Sequence, residues 1–163
     1  MEFSPDKYAK AARDAVETID SLVGLPKKAR DAYREFQLDG VISKINERLY
    51  GRYLLINAVK NFGNMQGRQE DFDAIILTAR DRAKYLKQFI QKVEPRLMNV
   101  SPKLAASLTI MTQQSIGLYE TISKTEDPDR MAEVAPQLAK YLVAVADYLE
   151  QVNGKLKAIV TEE

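Results

Sequence analysis

The chain of 163 residues contains no cysteine, no histidine and no tryptophan. Without cysteine there is no disulfide, no thiolate nucleophile and no iron–sulfur ligand, and the redox state of its compartment is left open. Without histidine there is no Ser–His or Cys–His pair and no imidazole metal ligand. A di-iron bundle built on two Glu-x-x-His pairs is thereby excluded, as is a histidine-ligated haem. Glycine and proline are scarce, seven and six residues, which favours long elements over many turns.

An excess of one charge is lacking as well. Lys and Arg number 24 against 23 Asp and Glu, so no global field draws the chain to nucleic acid or anionic lipid. A specific nucleic-acid partner is not expected. Long apolar runs are also missing. The longest uncharged run, Leu104 to Tyr119, is interrupted by Ser107, Thr109, Thr112, Gln113, Gln114 and Ser115. It falls short of the ~18 mainly apolar residues that a membrane-spanning helix needs. The opening Met-Glu-Phe-Ser-Pro carries no apolar signal core. Localisation is therefore left between the cytoplasm and a mature secreted chain with its signal removed.

What the chain does have is heptad spacing. Met131, Ala135, Leu138, Leu142, Val145, Leu149, Val152, Leu156 and Ile159 follow one another at alternating gaps of 4 and 3. A stripe of this kind cannot stay in water and demands partner helices. The same spacing recurs in Tyr8, Ala12, Ala15, Ile19 and Leu22 and in Phe72, Ile76, Ala79, Ala83, Leu86, Ile90, Val93 and Leu97. It recurs again in Leu104, Leu108, Met111, Ser115, Leu118 and Ile122, and less regularly in Ile42, Ile45, Leu49, Ile56 and Val59. The chain thus supplies its own partners, and the last seam reads as an intramolecular wall. The small residues Ala132, Ala139 and Ala146 beside it let a neighbouring helix come close.

Punctuation divides the helices. Ser4-Pro5 and Ser101-Pro102 each offer a serine N-cap followed by proline at the first helical position, and Asp127-Pro128 does the same. Gly24-Leu25-Pro26 stops or bends the first helix, and Gly63 is placed to end the one that starts near Val41. Glu94-Pro95 is expected to end or kink the helix that starts near Gln69, and Pro136 to bend the last one. The expectation is a single domain over residues 1–163. It is all-α, an up-down antiparallel four-helix bundle with a broken first arm, counted as four to five helices.

Chemistry is harder to find. No Gly-rich phosphate loop is present, no carboxylate sits in an obviously apolar setting, and no acidic spacing suggests a metal site. The chain reads as a non-enzyme without cofactor or metal, acting as a protein-interaction or scaffolding module. A protein partner or self-association follows from that reading. One alternative is a small-ligand or sensor bundle with an interhelical pocket. Arg48, Arg52, Tyr53 and Asn57 could grip a carboxylate or phosphate there, with Gln114, Ser115 and Tyr119 from the uncharged helix. The simpler reading lets Arg52 reach outward while Tyr53 takes the core slot. A second alternative is a membrane-surface-active helical protein. Residues 79–103 are locally basic and 117–150 acidic, but complementary faces of two packed rods explain that pattern more simply than a lipid or nucleic-acid surface.

The uncharged run is the chief oddity. A bundle helix normally carries charge on its outer face. One that does not is either covered on more than one side or lines a pocket or a partner groove; the former is preferred, because buried Ser and Thr commonly bond back to their own helix.

Overall fold

A computed structural model describes residues 3–21, 27, 55–62 and 69–161. Among these the chain is all-α, with no strand. Helix α1 spans Pro5–Ser21, residues 55–62 are helical, α2 spans Gln69–Val100, α3 spans Pro102–Ser123 and α4 spans Pro128–Thr161. The break at Gly24-Leu25-Pro26, the helix start near Val41 and the end at Gly63 lie outside the described residues.

The helix starts follow from the caps. Ser4 Oγ accepts a hydrogen bond from the Lys7 amide and Ser101 Oγ one from the Leu104 amide, each at 3.3 Å. Asp127 Oδ1 accepts from the Arg130 amide at 2.8 Å. Each satisfies one of the amides that a helix start leaves without an intrahelical partner. Ser101 alone separates α2 from α3, and its own amide still bonds back to the Leu97 carbonyl. The two helices fold back on each other across that one residue as an antiparallel hairpin. Lys87 and Arg82, remote from that turn on α2, accordingly meet Glu120 and Tyr119, equally remote on α3.

Among the described residues, packing places α1 to α4 in the order α2, α3, α1, α4. The most extensive contact is between α2 and α3, followed by α1 on α3 and α1 on α4, whereas the consecutive α3 and α4 touch little. Helix α1 can sit between two neighbours because its core side is small. Ala11, Ala12 and Ala15 are buried between Tyr8 and Ile19. It runs parallel to α4: Phe3 lies against Tyr141, Tyr8 against Tyr148, and Asp20 pairs with Lys155. The Tyr8 ring is fully buried and its hydroxyl donates to the Val145 carbonyl at 3.1 Å, so the polar tip is satisfied where water cannot reach it. Phe62, in the 55–62 stretch, lies against Phe72 at the start of α2, ring centroids 6.5 Å apart.

The seams bury as their spacing requires, with one correction. From Met131 to Val152 every seam position of α4 is buried, as is every one from Leu104 to Ile122 in α3; the Leu156 and Ile159 side chains lie outside the described residues. In α2, however, Ile75 and Phe89 are buried while Ile76 and Ile90 are only half-buried. An α-helix turns every 3.6 residues, so a stripe drawn at 3.5 drifts round it, and the buried face here is wider than one seam. Neither proline ends its helix. Helix α2 continues past Pro95 to Val100, and α4 passes Pro136 unbroken. Both prolines are exposed, as is Gln91 one turn before Pro95. The carbonyl that Pro95 leaves without a donor belongs to Gln91, an exposed residue, and a proline costs less in a helix where water replaces the lost donor.

Candidate functional site

Helix α3 gathers most of the sequence-nominated polar residues that the structure describes. Its burial extends well beyond its seam: Ala105, Ser107, Gln114, Ile116, Gly117 and Tyr119 are buried as well. A helix enclosed to this degree has little room for charge, which accounts for its absence at the buried positions of the run. Its hydroxyls turn inward on their own backbone. Thr112 donates to the Leu108 carbonyl, Ser115 to Met111 and Thr121 to Gly117, at 2.8, 3.0 and 2.8 Å. Ser115 is thereby committed within the helix.

Gln114 is committed across the bundle. Its Oε1 accepts the Ser4 amide at 2.6 Å, tying the start of α1 to the middle of α3. Tyr119 is fully buried, with the Arg82 guanidinium 5.8 Å from its ring centroid, a cation–π distance. Glu120, the next residue, takes Lys87 at 2.5 Å. Donation from that ammonium is the main reason the Glu120 carboxyl titrates below the usual carboxylate range, against a smaller opposing effect of burial.

Gln114, Ser115 and Tyr119 therefore share one helix, but the first two make contacts within the protein and the third packs under Arg82. Asn57 is exposed on the 55–62 stretch. Arg48, Arg52 and Tyr53 lie outside the described residues. Among the described residues no group of three or more acidic side chains is arranged to hold a metal ion, and no helix is long and apolar enough to cross a membrane.

Two surface features stand out, the first of them without a signal in the sequence. The first is an open depression of about 630 Å3 where α3 turns into α4, lined among others by Thr121, Lys124, Glu126, Asp129, Val134 and Gln137. Its charged groups are partly engaged: Lys124 lies 3.9 Å from Glu120, outside the depression, and Arg130 donates to Glu133 within it at 2.9 Å. The second is the outer line of α3. Ala106, Ile110 and Gln113 are exposed, Ile110 to 42%, while Gly117 on the same line is buried. Beside them the Thr109 hydroxyl is buried with no hydrogen-bond partner among the described residues. The sequence signal for this line was the run's missing charge at the 106, 110 and 113 positions, which share a face at helical spacing.

No known family, curated protein or solved structure matches this chain.

Proposed function

We propose that the protein is a non-enzymatic helical scaffold that docks other protein through the outer line of α3. The observation that carries this reading is the exposed set Ala106, Ile110 and Gln113, on a helix with no charged residue from Leu104 to Tyr119. A face that is only solvated gains from charge and loses nothing by it. A face that must also accept a second helix is better without it, because charges buried at a contact have to be paired or lose their hydration. Small Ala106 permits close approach, Ile110 offers an apolar anchor, and Gln113 can bond to a facing side chain without carrying charge. A second copy of the chain is the occupant that can be tested directly, since the same line on two copies is self-complementary under two-fold symmetry.

Sedimentation velocity over a range of concentrations tests this. The wild-type chain should show a reversible monomer–dimer equilibrium, and Ile110→Glu should shift it at least tenfold toward monomer with an unchanged helical circular-dichroism spectrum. Because the chain has no cysteine, Gln113→Cys provides a unique thiol whose oxidation should cross-link two copies. A wild-type chain that stays monomeric at high micromolar concentration, with no Gln113→Cys cross-link, would remove self-docking from the proposal.

A further inference from the structure

Lys87 of α2 meets Glu120 of α3, and that contact fixes which residues stand side by side along the hairpin. The two helices are antiparallel, so equal steps forward on α2 and back on α3 reach the next neighbouring pair. Eleven residues are three turns of helix to within about 20°, which takes Lys87 to Met98 and Glu120 to Thr109. Met98 therefore stands to Thr109 as Lys87 stands to Glu120, next to Ile110 on the outer line of α3. Met98 is exposed to 47% and Ile110 to 42%, two of the four large apolar residues that are exposed among the described residues. They fall together in one patch with Ala106. Charge bounds that patch along its length. Seven residues, two turns, place half-buried Glu94 beside Gln113 by the same relation, and exposed Lys103 precedes Ala106 by about one turn.

We propose that Met98 is the second apolar anchor of the α3 docking face, and that oxidation of its thioether releases the second copy docked there. The inference rests on the reading of that face as self-docking. Methionine suits the place on two counts. Its unbranched side chain adapts to whatever surface faces it, and its sulfur is open to a peroxide. With no cysteine, histidine or tryptophan in the chain, no softer or more nucleophilic side chain competes for the oxidant. Met111 and Met131 are 2% and 0% exposed, so among the described methionines Met98 alone meets solvent. The reaction is a two-electron oxygen transfer from a peroxide. With hydrogen peroxide, the S–O bond forms as the O–O bond breaks and the proton on the transferred oxygen passes to the leaving one. The thioether is oxidised to the sulfoxide and the peroxide is reduced to water. In the free chain the polar sulfoxide stays hydrated. Against the apolar side chains of a second copy it has to give up that water without a donor in return, which weakens the contact. Because Met98 is outside the core, the bundle itself stays folded.

Sedimentation velocity on the full chain before and after hydrogen peroxide tests it. Peptide mass spectrometry should find added oxygen at Met98 ahead of Met111 and Met131. The oxidised chain should keep its helical circular-dichroism spectrum while its monomer–dimer dissociation constant rises roughly tenfold. Methionine sulfoxide reductase should restore the dimer, the oxygen leaving as water while its dithiol reductant becomes a disulfide. Met98→Leu, which keeps an apolar side chain there, should dimerise to the same extent with and without peroxide and so controls for oxidation at any other methionine. Met98→Gln should dimerise weakly without peroxide. The role of Met98 is overturned if peroxide or Met98→Gln leaves the dimer as tight as before, or if peroxide loosens Met98→Leu as much as the wild type. The docking face still stands in those cases as long as Ile110→Glu separates the copies. An unoxidised wild type that stays monomeric overturns self-docking itself, and the role of Met98 with it.

Discussion

Gln114 and Glu120 show how far a polar residue's role depends on what meets it. Gln114 sits in an uncharged run and could equally have faced a ligand. Its partner is the Ser4 amide, 110 residues away in the chain, and no local spacing announces a contact of that range. Ser115 differs, because its partner is one helical turn back and the helix itself supplies it. Gln114→Ala should cost about 1–3 kcal/mol in denaturant unfolding, since it strips a half-buried amide of its acceptor, and it should raise hydrogen exchange at Ser4. An unchanged midpoint would mean that water replaces the side chain without loss. Glu120 is a surface case. Its carboxyl is held below the usual range by Lys87, so the stabilisation is fully present above the unfolded-state pKa and is lost as pH falls through the lowered folded-state value. Lys87 is 57% exposed, and solvent screening keeps the pair to less than about 1 kcal/mol. Glu120→Gln should therefore be slightly less stable than the wild type at pH 7, and the difference should vanish in acid, as urea titrations at both pH values can show.

At the scale of the helix, what was legible in the sequence was whatever one helix decides alone. The Ser101-Pro102 and Asp127-Pro128 starts needed only their own cap residues, and both helices begin there. The seams of α3 and α4 needed only periodicity. Where a helix meets more than one neighbour the reading slipped. Ile75 and Phe89 are buried on α2 in preference to Ile76 and Ile90 because neighbours, and not a single repeat, set its face. Pro95, which does not end α2, raises a related point. Its cost depends on whether the freed carbonyl meets water or protein, and that is a fact of position in the bundle. The Ser101 junction offers the sharpest test at this scale. Ser101→Ala removes the side-chain acceptor for the Leu104 amide and should lower stability by about 0.5–2 kcal/mol. Ser101→Gly should cost clearly less, since glycine is itself tolerated at an N-cap. Equal losses for the two would assign the effect to the tight turn and not to the cap.

At the scale of the molecule, α3 is the helix on which both α2 and α1 pack among the described residues. It lies between α2 and α1, contributes buried residues on most of its circumference and takes the N-terminal tie through Gln114. Helix α4, whose heptad seam is the most regular in the sequence, packs mainly on α1 among the described helices and little on α3 or α2. Regularity of pattern and centrality in the fold are therefore different properties. A seam records that one face is covered, whereas burial round most of the circumference records that a helix is enclosed. Local opening needs the separation of whatever packs on a segment, so an enclosed helix opens only when the bundle does. Native-state hydrogen exchange should consequently find the amides of Leu108 to Tyr119 protected to nearly the full unfolding free energy. Those of Met131 to Val145 should exchange through a smaller opening that frees α4 from α1. Low denaturant should separate the two, since sub-global openings depend on it weakly while global unfolding depends on it with the full slope of the equilibrium transition. If α4 proved as protected as α3, the bundle would be opening as one unit, and the central place assigned to α3 would be wrong.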